Sequence, residues 1–138
     1  MKPKLYFYDC GLAAYLTKWS NNDTLMNGAM NGAILENFVV SEIVKSYQNC
    51  GREAFIYYYR DKDTREIDIL LEDSGNLYPT EIKKTAMSQS QLTRVFGVID
   101  KTSLERGTGA VLCTTDRLSA FDSQNLIVPI WGIKITQG

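Results

Sequence analysis

The 138-residue chain contains no histidine, and this absence excludes imidazole as a general acid or base. It also removes the ligands that zinc, copper and iron usually take, so any metal site must be built from oxygen atoms. Oxygen ligands favour Mg²⁺ or Mn²⁺. The three cysteines are far apart and form no C-x-x-C pattern, which argues against a disulfide framework and against a zinc site.

Long hydrophobic runs are also missing from the sequence. No apolar stretch approaches the roughly 20 residues of a membrane-spanning helix. Asp9 interrupts the N-terminal residues before the apolar region of a signal peptide builds up. We therefore expect a cytoplasmic protein with no membrane association.

Charge of one sign is lacking as well, since 15 basic residues face 16 acidic ones and the net charge is −1. A domain that coats nucleic acid without specificity is usually basic, so this balance argues mildly against that class. It leaves room for a nuclease, because a bound divalent cation supplies positive charge locally.

The composition that is present, 44% apolar and 11% aromatic, predicts one globular domain over residues 1–138. Residues 1–28 form an N-terminal extension with a short strand and a helix capped by Asp9. Residues 33–115 form an α/β core in the order α-β-β-β-α-β, and residues 116–138 form a C-terminal strand region. The predicted elements are strands at 5–8, 55–59, 66–71, 77–83, 109–114 and 126–133, with helices at 33–47 and from Ser88, and Pro129 indicates an edge or a bulge.

Two of these strands bring together acidic side chains and a lysine. A turn over residues 73–76 places Glu72 opposite Leu77, and the same register places Asp68 directly opposite Glu81. Like charges in opposed positions destabilise a sheet, and a cation between them reverses that effect. Lys83 shares a face with Glu81, so the hairpin predicts two carboxylates and an ammonium on one surface.

A third acid, Glu36, lies on the first turn of the predicted helix over residues 33–47. At 100° per residue it falls within an apolar arc, where an unpaired carboxylate is costly. We interpret it as reaching the rim of the sheet near Asp68; the alternative is a salt bridge to Arg60 or Lys83. The arc contains Val39, Val40, Ile43, Val44 and Tyr47, whereas Asn37, Ser41, Glu42, Lys45 and Ser46 lie on the other side.

Several further residues are weaker candidates, each with an ordinary structural explanation beside the functional one. Gln91 is either a helix cap or an accessory polar residue of the site. Tyr57, Tyr58 and Tyr59 are either strand packing or a surface for base stacking. Four basic residues are candidate nucleic-acid contacts, against the alternative of a solvated face: Arg60, Arg65, Lys84 and Arg94.

The pattern Glu36 … Asp68 … Glu81-Ile82-Lys83 on an α-β-β-β-α-β core resembles the PD-(D/E)XK nuclease superfamily. Ile67 stands where that motif usually has proline. The resemblance implies a restriction-endonuclease-like fold with a mixed central sheet flanked by helices. It implies metal ligands at Asp68 and Glu81 for Mg²⁺ or Mn²⁺, a catalytic lysine at Lys83, and an accessory acid at Glu36.

A longer stretch, from KLYFYDCGLAAYL through GAILENFVVSEI and YYYRDKDTREIDILL to YPTEIKK, is similar to an uncharacterised domain at the C-terminus of bacterial and archaeal AAA-type ATPases. The chain has no G-x-x-x-x-G-K-[ST] motif, so the ATPase module of that family is missing from it. Two functions follow as hypotheses. The first is a metal-dependent nuclease-like domain that hydrolyses nucleic acid, with DNA favoured, and the second is a non-catalytic regulatory or interaction module of such an ATPase.

Overall fold

The computed structural model describes residues 3–9, 12, 31–84 and 94–132, which form an α/β fold around a mixed sheet. The predicted α/β class is confirmed, and no described helix is long and apolar enough to cross a membrane. The elements in chain order are α1 (Asn31–Asn49), β1 (Phe55–Arg60), β2 (Glu66–Asp73), β3 (Asn76–Ile82), the 3₁₀ helix η1 (Arg94–Lys101), β4 (Glu105–Arg106), β5 (Gly109–Cys113), β6 (Ser119–Ala120), β7 (Asn125–Pro129) and the 3₁₀ turn η2 (Ile130–Gly132).

The described strands form one seven-stranded sheet in the order β1-β2-β3-β5-β7-β6, with β4 beside β3. The pairs β1–β2, β2–β3 and β6–β7 are antiparallel, while β3–β5 and β5–β7 are parallel. Pro129 is the last residue of β7, and β6 pairs only with Leu126 and Ile127. Pro129 has no backbone N–H to donate, and β6 does not pair with β7 at this position, so no hydrogen bond between these two strands is lost.

The β2–β3 hairpin has the predicted register, with Glu72 opposite Leu77 and Ile69 opposite Thr80. Its two-residue loop is Ser74-Gly75, with φ of 53° and 83°. Positive φ at both loop residues is the conformation whose twist matches the flanking strands, and it fixes the register of the whole hairpin.

Helix α1 ends at Asn49, two residues before Gly51. Gly51 has φ of 69°, the left-handed conformation in which glycine costs least. The N–H of Arg52 donates to the carbonyl of Tyr47 at 2.9 Å, and the N–H of Gly51 donates to the carbonyl of Gln48 at 2.9 Å. These two bonds are those of a Schellman cap, which satisfies the last carbonyls of the helix.

The two helical elements pack on opposite faces of the sheet. One cluster joins α1 to Ile69 and Ile82, and a second joins η1 to Ile67 and Leu77. Leu77 and Ile82 are five residues apart on β3 and therefore point to opposite faces. The buried hydrophobic residues of α1 all belong to the predicted arc, and Phe96 and Ile99 are buried residues of η1.

Several sequence-based expectations differ from the structure. The strand predicted over residues 126–133 ends at Pro129, and residues 130–132 form the 3₁₀ turn η2. Residues 5–8 do not form the predicted strand; Phe7 bonds through its backbone to the side chain of Asn37 and not to a neighbouring strand. For the same reason Asn37, expected on the solvent side of α1, is only 9% exposed. Ser41, expected on that side too, is also buried, and its hydroxyl donates to the carbonyl of Phe38 at 2.9 Å.

The N-terminal cap and the third helix are described only in part. The N–H of Leu12 donates to Asp9 Oδ1 at 2.9 Å, the bond expected of a helix-capping aspartate. The rest of the helix predicted after Asp9 lies outside the described residues. Ser88 and Gln91 also lie outside them, and residues 94–101 of the third predicted helix have 3₁₀ geometry.

Candidate functional site

Asp68 lies at a β-bulge in β2. The β1–β2 register passes from Tyr57 opposite Leu70 to Tyr59 opposite Ile67, so β2 has one extra residue at this point. As a result Ile67 belongs to the η1 cluster and Ile69 to the α1 cluster, although residues two apart on a regular strand share a face. Asp68 is therefore at the point where the alternation of side chains between the two faces of β2 shifts by one residue, and bulges commonly redirect side chains in this way.

The carboxylate of Asp68 is fixed by the backbone of β3. The N–H of Ile82 donates to Asp68 Oδ2 at 2.9 Å. The described β2–β3 pairs end at Ile69 opposite Thr80, and one further step of this register sets Asp68 against Glu81. The side chain of Asp68 thus takes the place of a backbone acceptor at the end of the ladder.

Glu81 is the buried member of the acidic pair, with only 5% of its surface exposed. Burial, and then the negative charge of Asp68, raise the pKa of the Glu81 carboxyl from 4.5 to about 7. The ammonium of Lys83, whose Nζ lies 3.4 Å from Glu81 Oε2, opposes this rise in pKa only in part. Lys83 is 42% exposed, so solvent weakens its effect on the buried carboxylate.

Glu36 is held by the N-terminal segment and not by the carboxylate pair. We call residues 3–9 the strap. Glu36 Oε1 accepts hydrogen bonds from the phenol of Tyr6 at 2.6 Å and from Lys4 Nζ at 3.0 Å. The alternative, a salt bridge to Arg60 or Lys83, is not formed either, because Glu36 pairs with Lys4. Within the described residues, no three acidic or cysteine side chains come together as a metal-ligand group.

Tyr6 is the strap residue that the charges of both Glu36 and Asp68 affect. Its ring packs against the α1 cluster, and burial and the hydrogen bond to Glu36 raise the pKa of its phenol. The charge of Asp68 raises this pKa too, so Tyr6 lies within electrostatic range of both acids. Lys4 and Tyr6 were missed as site residues in the sequence. Their i, i+2 spacing is the one signal that they share a side of the chain, and it is too common to be diagnostic.

The basic residues predicted to contact nucleic acid are dispersed. Arg60 pairs with Glu66 at 2.9 Å, and Arg65 pairs with Asp61 at 2.6 Å within the β1–β2 loop. Lys84 is exposed at the end of β3, and its carbonyl accepts a hydrogen bond from Thr114. Arg94 begins η1, across the sheet from α1.

An open cleft of about 660 Å³ lies between the strap and β1. Its lining carries charges of both signs, and Lys4 Nζ stands 4.8 Å from the centre of the Tyr58 ring at one side of it. Arg60 is the one predicted contact that borders this cleft. The lining residues are Pro3, Lys4, Tyr58, Arg60, Asp61, Lys62 and Glu66.

The fold and site together define an α/β domain in which the half-buried Asp68 and the buried Glu81 lie beside a lysine at a bulge. The chain belongs to the DUF4143 family, a domain of unknown function, whose family model matches residues 31–133. No curated protein and no solved structure matches the chain. The α1 helix, Asp68, Glu81 and Lys83 lie inside the matched residues, and the strap lies outside them.

Proposed function

We propose that this domain is a Mg²⁺- or Mn²⁺-dependent nuclease-like phosphodiesterase with a restriction-endonuclease-like fold. The observation that carries the proposal is the carboxylate pair, in which buried Glu81 lies beside the charge of Asp68 and 3.4 Å from Lys83 Nζ. The chain order of α1, three antiparallel strands, η1 and the parallel strand β5 agrees with the core of such a fold.

The chemistry of the two acids fits a hard divalent cation. Mg²⁺ keeps several water ligands and is usually held by one or two carboxylates, so Asp68 and Glu81 are a sufficient protein contribution. A cation also removes the repulsion that raises the pKa of Glu81. When bound, it lowers the pKa of a coordinated water and stabilises negative charge on a phosphate.

The remaining residues have roles that follow from their positions. The Ile82 N–H holds the Asp68 carboxylate in one orientation, which is the preorganisation that a metal ligand needs. The exposed ammonium of Lys83 is available to a phosphate oxygen and can orient an attacking water beside Glu81. The substrate that suits this arrangement is a phosphodiester of nucleic acid, with DNA favoured.

A second candidate function is a non-catalytic regulatory or interaction module of an AAA-type ATPase. It is favoured by the engagement of Glu36 with Lys4 and Tyr6, which leaves two acids and not three at the pair. In this alternative the Glu81–Lys83 contact is a structural ion pair and binds no metal.

Calorimetric titration with Mn²⁺ and Mg²⁺ distinguishes the two candidates, because it needs neither a substrate nor a partner protein. We expect saturable binding to the wild-type chain and its loss in Asp68→Asn and Glu81→Gln. Glu66→Gln is the matched control, since Glu66 lies on the same strand as Asp68 but its side chain is 46% exposed. Binding should weaken by roughly tenfold per pH unit below pH 7, because Glu81 must lose its proton to bind a cation.

Cleavage of labelled DNA and RNA in Mn²⁺, with Lys83→Met as the catalytic variant, then tests the reaction. Equal and negligible metal binding by the wild type and Asp68→Asn, at pH 8 and with a phosphodiester present to supply further ligands, rejects the nuclease proposal and favours the module.

A further inference from the structure

The strap is attached to α1 mainly by polar contacts. The backbone N–H of Phe7 donates to Asn37 Oδ1 at 2.6 Å, and Asn37 Nδ2 donates to the carbonyl of Phe7 at 2.9 Å. At its far end the phenol of Tyr8 donates to Gln48 Oε1 at 2.9 Å. The buried side-chain amide of Asn37 therefore both accepts a hydrogen bond from the backbone of Phe7 and donates one to it, as a paired residue on a neighbouring strand does.

Little apolar surface of the strap is buried. Leu5 is 86% exposed, and Phe7 and Tyr8 are 51% and 58% exposed, whereas the ring of Tyr6 packs against the α1 cluster. Segments with few buried apolar contacts open at low free-energy cost, well below that of global unfolding. The strap has the properties of a segment that detaches while the sheet and α1 remain folded.

The strap also acts on an acid of the proposed site. Lys4 and Tyr6 supply the two hydrogen bonds that Glu36 Oε1 accepts, and Tyr6 lies within electrostatic range of Asp68. While the strap is bound to α1, Lys4 therefore offsets the charge of Glu36, and the Tyr6 phenol is hydrogen-bonded to the same carboxylate. Detachment removes both donors and exposes Glu36 on the side of α1 that faces Tyr6.

We propose that residues 3–9 are a detachable autoinhibitory strap that withholds Glu36 from the carboxylate pair, so that opening of the strap adds a third acid to the metal site and strengthens metal binding. This inference rests on the proposed function, because it needs a cation at Asp68 and Glu81. The strap precedes the residues that the family model matches.

Two measurements on the full chain test the proposal. The Mn²⁺ affinity of Tyr6→Phe should exceed that of the wild type by roughly tenfold, since one hydrogen bond to a charged carboxylate is removed while the ring is kept. The double variant with Glu36→Gln should lose this gain. Tyr57→Phe is the matched control, because it removes an exposed phenol from β1.

The second measurement follows from reciprocity. If opening the strap strengthens metal binding, metal binding must favour opening by the same factor. Exchange of the Phe7 amide, read by mass spectrometry of the peptide that contains it, should therefore accelerate roughly tenfold in saturating Mn²⁺. Asp68→Asn should show no such acceleration.

The outcomes separate the two proposals. Mn²⁺ binding that requires Asp68 but is unchanged or weakened in Tyr6→Phe, with slower exchange of Phe7 in metal, overturns the strap proposal alone. No Mn²⁺ binding by any variant overturns the proposed function, and the strap proposal is lost with it.

Discussion

Replacing Glu81 by glutamine should stabilise the metal-free protein at neutral and alkaline pH. The pKa of Glu81 is raised from 4.5 to about 7, chiefly by burial and then by the charge of Asp68. A rise of this size corresponds to roughly 3 kcal/mol, because each pKa unit is worth about 1.4 kcal/mol. The glutamine removes the buried charge and keeps the shape of the side chain.

The sign of the pH dependence follows from the direction of the shift. A carboxyl with a raised pKa binds a proton more tightly in the folded chain, so stability is lost as the pH rises from 4.5 to about 7. The stability of Glu81→Gln relative to wild type should therefore increase by roughly 2–3 kcal/mol between pH 5 and pH 8. Because the chain has no histidine, few other side chains titrate in this window.

The assay is urea denaturation in chelator-containing buffer at pH 5, 6, 7 and 8, with the wild type and the variant compared at each pH. Glu42→Gln is the control, because Glu42 Oε1 lies 3.4 Å from Lys45 Nζ, the same separation as in the Glu81–Lys83 pair, but at the surface. We expect the control to change stability by less than about 0.5 kcal/mol at every pH. A stability difference for Glu81→Gln that is constant from pH 5 to 8, or a less stable variant at pH 8, would refute the reasoning.

Two other substitutions have expected outcomes that the same denaturation assay checks. Asp68→Ala should destabilise the protein by about 1–3 kcal/mol, because the N–H of Ile82 loses its acceptor. Asp68→Asn should recover most of that loss, and equal stability of the two variants would contradict this explanation. Gly109→Ala should lower the free energy of unfolding by several kcal/mol, because a Cβ at this position would overlap Asn125 Oδ1 and lie 2.9 Å from the ring of Phe96. Gly97→Ala is the control, because its nearest added contact is 3.9 Å away and the packing should stay intact.

The parts of the fold that were predictable from the sequence are those with a local cause. The Ser74-Gly75 turn fixes the β2–β3 register, and the register in turn sets Asp68 against Glu81. Gly51 ends α1, and the apolar arc of α1 chooses the face that packs on the sheet. In each case the residues that decide the structure are within a few positions of one another.

The parts that were not predictable depend on contacts between distant residues. Asn37 and Phe7 are thirty positions apart, and no local pattern indicates that a side-chain amide will bind this backbone. The bulge at Asp68 carries no glycine or proline signal, and it follows from the pairing of β2 with β1. The position of Glu36 could not be derived for the same reason, since its partners Lys4 and Tyr6 are about thirty positions away and Tyr6 lies on a segment predicted to be a strand.

The acidic residues of the described chain differ in the direction of their pKa shifts, and this difference bears on the proposed function. A hydrogen bond from Tyr47, together with Arg52, lowers the pKa of Asp73, and hydrogen bonds from Asn125 and the backbone lower the pKa of Asp122. These carboxylates stabilise the fold in their charged form. The pKa of Glu81 moves in the opposite direction, so its charged form costs stability that Lys83 does not fully restore. Glutamine would make the same strand more stable, so the Glu81 carboxylate is a better fit to the proposed cation site than to a purely structural role. If that proposal holds, a divalent cation reverses the sign of the Asp68–Glu81 interaction, and its addition at pH 8 should stabilise the wild type while leaving Glu81→Gln unchanged.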